Sequence, residues 1–154
     1  MSHHRVLAVG LDVVEVDRIA AVHRRRPEAF VRRLCRPGEC QDRRGPALDQ
    51  HLSGLFAAKE AVLKALGTGW AEGLAFRQIE VVRRPGGAPA VRLHAAAADR
   101  ARSLGVARIH LSITHERRHA AAVAVLEGVA PPTDTAHDPL SPYAADPPAL
   151  HRDA

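Results

Sequence analysis

The stretch ALDQHLSGLFAAKEAVLKAL, residues 47–66, holds helical spacing of apolar side chains longer than any other part of the chain, and Gly67 and Gly69 stop it. A helix of that length runs roughly 30 Å, about the width of a small domain, so the remaining elements must be arranged around it. At ~100° per residue, Leu52, Leu55, Phe56, Val62, Leu63 and Leu66 fall on one stripe with Lys59 close to its centre. Ala57, Ala58, Ala61 and Ala65 fill the other side and admit a close neighbour, while Glu60 and Lys64, four apart, share the stripe's edge. An ammonium without partners is costly to bury, so Lys59 must snorkel to the surface, pair with a carboxylate or meet an anionic ligand. Lys59 and Lys64 are the only lysines in a chain with 22 Lys plus Arg. A compact ammonium suits phosphate oxygens in tight sites, where the planar guanidinium fork does not fit.

At 154 residues the chain is long enough for one domain with a hydrophobic core. Residues 5–16, RVLAVGLDVVEV, read as a strand buried on both faces, with Asp12 inside it. Asp17 is placed to cap a helix over 17–25, and Pro27 to open a second over 27–34. Residues 36–46 read as a turn with a short helix. Strands are expected over 77–84 and 89–94, joined by PGGA, and over 108–115 and 119–127, joined through ERR as an antiparallel hairpin, with a helix over 95–105 between the pairs. Beyond Gly128 the sequence carries six of the eleven prolines and little apolar periodicity. A folded domain over 1–128 and a disordered Pro-rich tail over 129–154 are expected. Cys35 and Cys40 lack the spacing of a metal or redox motif and read as two ordinary thiols.

The formal net charge is +5, and arginines cluster at 24–26, 32–33, 43–44, 83–84 and 117–118. A basic surface of this kind steers an acidic partner: nucleic acid, an acidic protein or a phosphorylated small molecule. Aromatic residues are only 3% of the chain, which leaves little for base-stacking platforms and argues against nucleic acid. The sequence has neither a run of about 20 apolar residues nor a signal-peptide pattern, so a soluble cytoplasmic protein without a membrane role is expected. A non-catalytic basic binding module is the competing reading, and it predicts steeply salt-dependent binding.

Asp12 is out of place in an otherwise apolar strand, because a buried Asp is rare unless paired or bound to metal. An Asp from a strand and a Glu from a helix would make a sparse, all-oxygen site of the kind that holds Mg²⁺ together with water and ligand phosphates. Four ordered blocks, GLDVVEVDRI, FAAKEAVLKALGTG, IEVVRRPGGAP and HLSITHERRHAAAVAVLE, cover roughly Val6 to Glu127. Through them the chain resembles the holo-[acyl-carrier-protein] synthase group of 4′-phosphopantetheinyl transferases.

The resemblance implies an α+β fold, with an antiparallel sheet, one long central helix and shorter helices, and a homotrimer with active sites between subunits. It implies transfer of the phosphopantetheine arm of coenzyme A to a carrier-protein serine, leaving adenosine 3′,5′-bisphosphate. Asp12 and Glu60 match the Mg²⁺ ligands, and Glu60 is also a candidate acceptor for the serine proton. Lys64, on Glu60's face, is the candidate for stabilising the leaving phosphate, and Lys59 for a further phosphate contact or a pair to a carboxylate. Ser112 and His115 match coenzyme A contacts. Gly67 and Thr68, read first as a helix stop, are carried as candidates beside them. Arg18 and Arg25 match positions on a basic first helix that docks an acidic acyl carrier protein. Two departures stand out: many relatives carry Arg where this chain has Leu55, and Lys where it has Ala88.

Overall fold

The computed structural model describes residues 4–40, 43–67 and 73–129. Thr68 and the expected tail from residue 130 onward lie outside the described residues. In chain order the elements are β1 (Arg5–Glu15), α1 (Val16–Arg25), α2 (Pro27–Leu34), α3 (Gly45–Leu66), β2 (Ile79–Arg83), β3 (Pro89–Leu93), α4 (Ala95–Ser103), β4 (Val106–His115) and β5 (His119–Gly128). A single 3-10 turn, Phe76–Gln78, leads into β2. All strand pairing is antiparallel: a three-stranded sheet in the order β1-β5-β4 and a two-stranded β2-β3 hairpin, so the strands form two sheets instead of one.

The long helix lies at the centre. Of its last fifteen positions, Leu52 to Leu66, only Phe56, Glu60 and Lys64 escape full burial, and these recur at i, i+4 and i+8 along one narrow edge. The alanine face packs on β1 and β5. There Gly10 makes the contact possible, because a Cβ at that position would overlap the backbone carbonyl of Ala61. The obstruction is backbone on both sides and cannot rotate away. Gly10→Ala is therefore expected to cost at least the upper part of the ~1–3 kcal/mol typical of overpacking, read as a lower urea midpoint, whereas an unchanged midpoint would contradict this packing.

Four expectations are corrected. β1 is buried on one face only, since α3 covers the sheet from one side. Gly10 and Val14 point inward, while Val9, Leu11 and Val13 on the opposite face are 59%, 58% and 56% exposed. Cys35 and Cys40 are not two thiols but a disulfide. α2 ends at Leu34, and a turn through Pro37 and Gly38, with φ of 94° at the glycine, brings Cys40 back to Cys35. That turn holds no helix among its described residues. Asp17 sits within the first turn of α1, whose N-cap is Glu15, so it does not cap the helix with its side chain.

Candidate active site

The exposed edge of α3 runs alongside the middle of β1, and three of the expected residues meet there. Lys64 Nζ donates to Asp12 Oδ1 at 2.8 Å and to the carbonyl of Leu11 at 3.0 Å. The helical i,i+4 pair to Glu60 is thus not the contact that holds Lys64. The Asp12 side chain is 13% exposed and that of Lys64 52%. Asp12 Oδ2 is buried and has no hydrogen-bond partner. Burial raises the pKa of Glu60; the nearby charge of Asp12 raises it further, and Lys64 pulls it back. The charges of Asp12 and Glu60 therefore repel one another, and Asp12 keeps one carboxylate oxygen without a partner. Two hard oxygen donors suit a divalent cation that keeps most of its water. Among the described residues no group of three or more His, Cys, Asp or Glu forms a closed metal cage.

Lys59 takes a different path. Its side chain has no exposed surface, and Nζ donates to Glu39 Oε2 at 2.7 Å and to the Leu34 carbonyl at 2.6 Å. Of the fates open to it, pairing with a carboxylate is the one realised. The phosphate contact is corrected, because both ammonium partners lie within the protein and nothing of the side chain reaches solvent. Burial lowers the Lys59 pKa, and Glu39 opposes that shift. Glu39, 3% exposed, also accepts from the backbone N–H of Val81 at 2.7 Å and from that of Arg36, and its carbonyl bonds His51 Nε2 at 2.6 Å. The 35–40 loop is thereby pinned to α3 and β2 at one carboxylate. Only the position of Glu39 between two cysteines and after Pro-Gly hinted at this.

The remaining candidates lie apart. His115, at the end of β4, lines a cleft of ≈ 710 Å³ between α3 and the β2-β3 hairpin that includes none of Asp12, Glu60 and Lys64. Ser112 is exposed on the outer face of β4, opposite Val123 of β5. His110, read as structural, reaches Glu127 at 2.6 Å, and His119 reaches Glu116 at 3.0 Å. Gly67 closes α3 in the left-handed conformation, φ 75°, with its N–H bonded to the Lys64 carbonyl, which is the expected helix stop. Arg18 and Arg25 are both exposed on α1 and, seven residues apart, share one face while Val16, Ile19 and Ala20 are buried.

Residues 8–124 match the family model of the 4′-phosphopantetheinyl transferase superfamily. The chain belongs to this superfamily. Within it, the chain is similar to the holo-[acyl-carrier-protein] synthase of Solidesulfovibrio magneticus, 46% identical over 123 residues that span 80% of this chain and 99% of the relative. It is also similar to that of Edwardsiella ictaluri, 44% identical over 124 residues, 80% of this chain and 98% of the relative. Among solved structures, the holo-[acyl-carrier-protein] synthase of Helicobacter pylori in complex with coenzyme A superposes with a TM-score of 0.66 at 30% identity, covering 77% of this chain and 98% of that one. The Plasmodium yoelii acyl carrier protein synthase with ADP bound gives 0.72 at 30% identity, with 82% and 98% covered. The expected α+β architecture is that of the superfamily, and Asp12, Glu60 and Lys64 all fall inside the matched range.

Proposed function

We propose that this chain transfers the 4′-phosphopantetheine arm of coenzyme A to a serine of an apo acyl carrier protein, with Mg²⁺ as cofactor and adenosine 3′,5′-bisphosphate as the leaving product. The observation that carries this reading is the meeting of Asp12, Glu60 and Lys64 on one edge of α3, in a chain of this superfamily. Asp12 Oδ2 lacks a partner and Glu60 is pushed toward its neutral form by burial and by Asp12, so the two carboxylates fit a divalent cation. When bound, Mg²⁺ supplies positive charge that polarises the diphosphate as the bond to the leaving phosphate breaks.

The chain's own residues do the rest. Lys64, half exposed and bonded to Asp12 and the Leu11 carbonyl, holds an ammonium where negative charge develops. Glu60, on the half-buried edge of α3, takes the serine proton. Gly67, Thr68, Ser112 and His115 contact coenzyme A. Arg18 and Arg25 dock the acidic carrier protein; because α1 begins at Val16, directly after β1, a carrier held there presents its serine near Asp12.

Val6, Val9, Leu11 and Val13 leave an apolar strip on an edge strand, the kind of surface that calls for a partner. A homotrimer covers it and brings Ser112 and His115 of one subunit toward the carboxylates of the next, which reunites residues that lie apart within a single chain. Light scattering is expected to give three times the chain mass, and Leu11→Lys with Val13→Lys to give monomers; a wild-type monomer would contradict the assembly. No helix of the described residues is long and apolar enough to cross a membrane. The function itself is tested by incubating a panel of apo carrier proteins with coenzyme A and Mg²⁺ and reading intact mass. One added arm on at least one fatty-acid or polyketide carrier is expected, and none on any carrier would overturn the reading.

A further inference from the structure

The two disulfide-bonded cysteines, Cys35 and Cys40, open together onto a cavity of ≈ 330 Å³ whose charged side chains are all basic: Arg32, Arg36 and Arg77. Among the described residues no acidic side chain lines this cavity, and Arg32 and Arg77 form no ion pair. Arg36 donates to the Arg77 carbonyl at 2.9 Å and lies 3.9 Å from Glu80. Cys35 is buried, whereas Cys40 is half-buried, so the link is reached from the Cys40 side. The loop that it closes carries Glu39, which holds the Lys59 ammonium and the Val81 N–H. It also carries Pro37 and Gly38, which line both this cavity and the cleft that holds His115.

A disulfide that faces a cavity exchanges with thiolates that enter it. Basic surroundings promote the exchange in two ways: they attract a thiol that bears negative charge, and they stabilise the cysteine thiolate that leaves. In a compartment rich in thiols, a link of this kind is transient and redox-sensing instead of a permanent staple.

We propose that Cys35–Cys40 is a thiol–disulfide exchange site for a small anionic thiol, and that opening the link loosens Glu39 from Val81. The negative charge comes either from carboxylates, as in glutathione, or from phosphates, as in coenzyme A. The incoming thiolate bonds to Cys40 Sγ, the bond to Cys35 breaks, and Cys35 leaves as a thiolate. A second molecule of the same thiol then attacks the first, and Cys40 leaves in turn. The two small thiols become one disulfide; their two electrons reduce the cysteines, which take up the two protons that the thiols lost. The site stands independently of the transfer activity proposed above.

The test takes the full chain in its disulfide form and adds glutathione, coenzyme A or the cationic thiol cysteamine, with iodoacetamide as the quench and intact mass as the readout. Opening is expected to rise linearly with thiol concentration. Corrected for thiolate fraction, at least one anionic thiol should react about tenfold or more faster than cysteamine at low salt, and the gap should close at high salt. Whichever of glutathione and coenzyme A shows the gap is the source of the charge that the cavity reads. Arg32→Gln with Arg77→Gln should abolish it; both side chains are exposed, so the unfolding midpoint should not move. A rate independent of thiol concentration, as for opening through global unfolding, would overturn the proposal. So would a wild type without charge preference, or a preference that survives in the double variant. Hydrogen exchange at the Val81 amide is expected to be about tenfold faster or more in the reduced chain, equivalent to ~1.4 kcal/mol of local stability. An unchanged rate there would overturn the claim that the link holds Glu39 in place.

Discussion

Asp12→Asn and Glu60→Gln are each expected to slow carrier-protein modification by roughly a hundredfold or more, the scale seen when one fixed charge at a developing transition state is removed. Each exchange is nearly isosteric and removes one of the two hard anionic donors that fit a divalent cation. The fold should not suffer. The Asp12–Lys64 pair is half exposed on the lysine side, and such pairs add little to stability. In Glu60→Gln a carboxylate already disfavoured by burial and by Asp12 is replaced by a neutral group. Unfolding midpoints are therefore expected within about 0.5 kcal/mol of wild type. Loss of activity with loss of fold would leave the catalytic assignment unsupported, and wild-type turnover in either variant would remove it.

Glu39→Ala is expected to be the most destabilising change outside the helix–sheet contact. It leaves the Lys59 ammonium, with no exposed surface, facing only the Leu34 carbonyl, and it strands the Val81 N–H. Removing one partner of a buried pair costs about 3–5 kcal/mol, because the remaining charge is uncompensated. Lys59→Met should cost less, since Glu39 keeps its two backbone donors. The double variant Lys59→Met with Glu39→Ala should be more stable than the sum of the two single changes, as expected for groups in direct contact. Denaturant unfolding reads all three. Additive losses would mean that the pair is not coupled, against the 2.7 Å contact.

Lys59 marks the boundary of what the sequence carries. Helical spacing put it among leucines and so limited its fate, but its partner comes from a loop whose path depends on the Pro37–Gly38 turn and the Cys35–Cys40 link. Neither has a periodic signature. Glu60 and Lys64 were legible as an exposed edge, yet Lys64 bonds Asp12, 52 residues away, a contact that only the packing of α3 on β1 creates. Gly10 is where that packing is enforced, and it reads in the sequence as any strand glycine. β1 shows the opposite limit. Its unbroken apolar run looks the same whether both faces are covered within one chain or one face awaits another copy, so double burial was the natural reading. The two hairpins and α3 were clear because their spacing and turn residues agree locally.

The central claim is that the carboxylates on the edge of α3 serve a metal-dependent transfer from coenzyme A to a carrier serine. The most direct measurement is the intact mass of one apo carrier protein after incubation with the wild-type chain and coenzyme A, run in parallel with Mg²⁺, with a chelator, and with Mg²⁺ and a carrier whose acceptor serine is changed to alanine. The account predicts one phosphopantetheine arm in the first sample and none in the other two. An arm added equally in the chelated sample, or on the serine-less carrier, would contradict it.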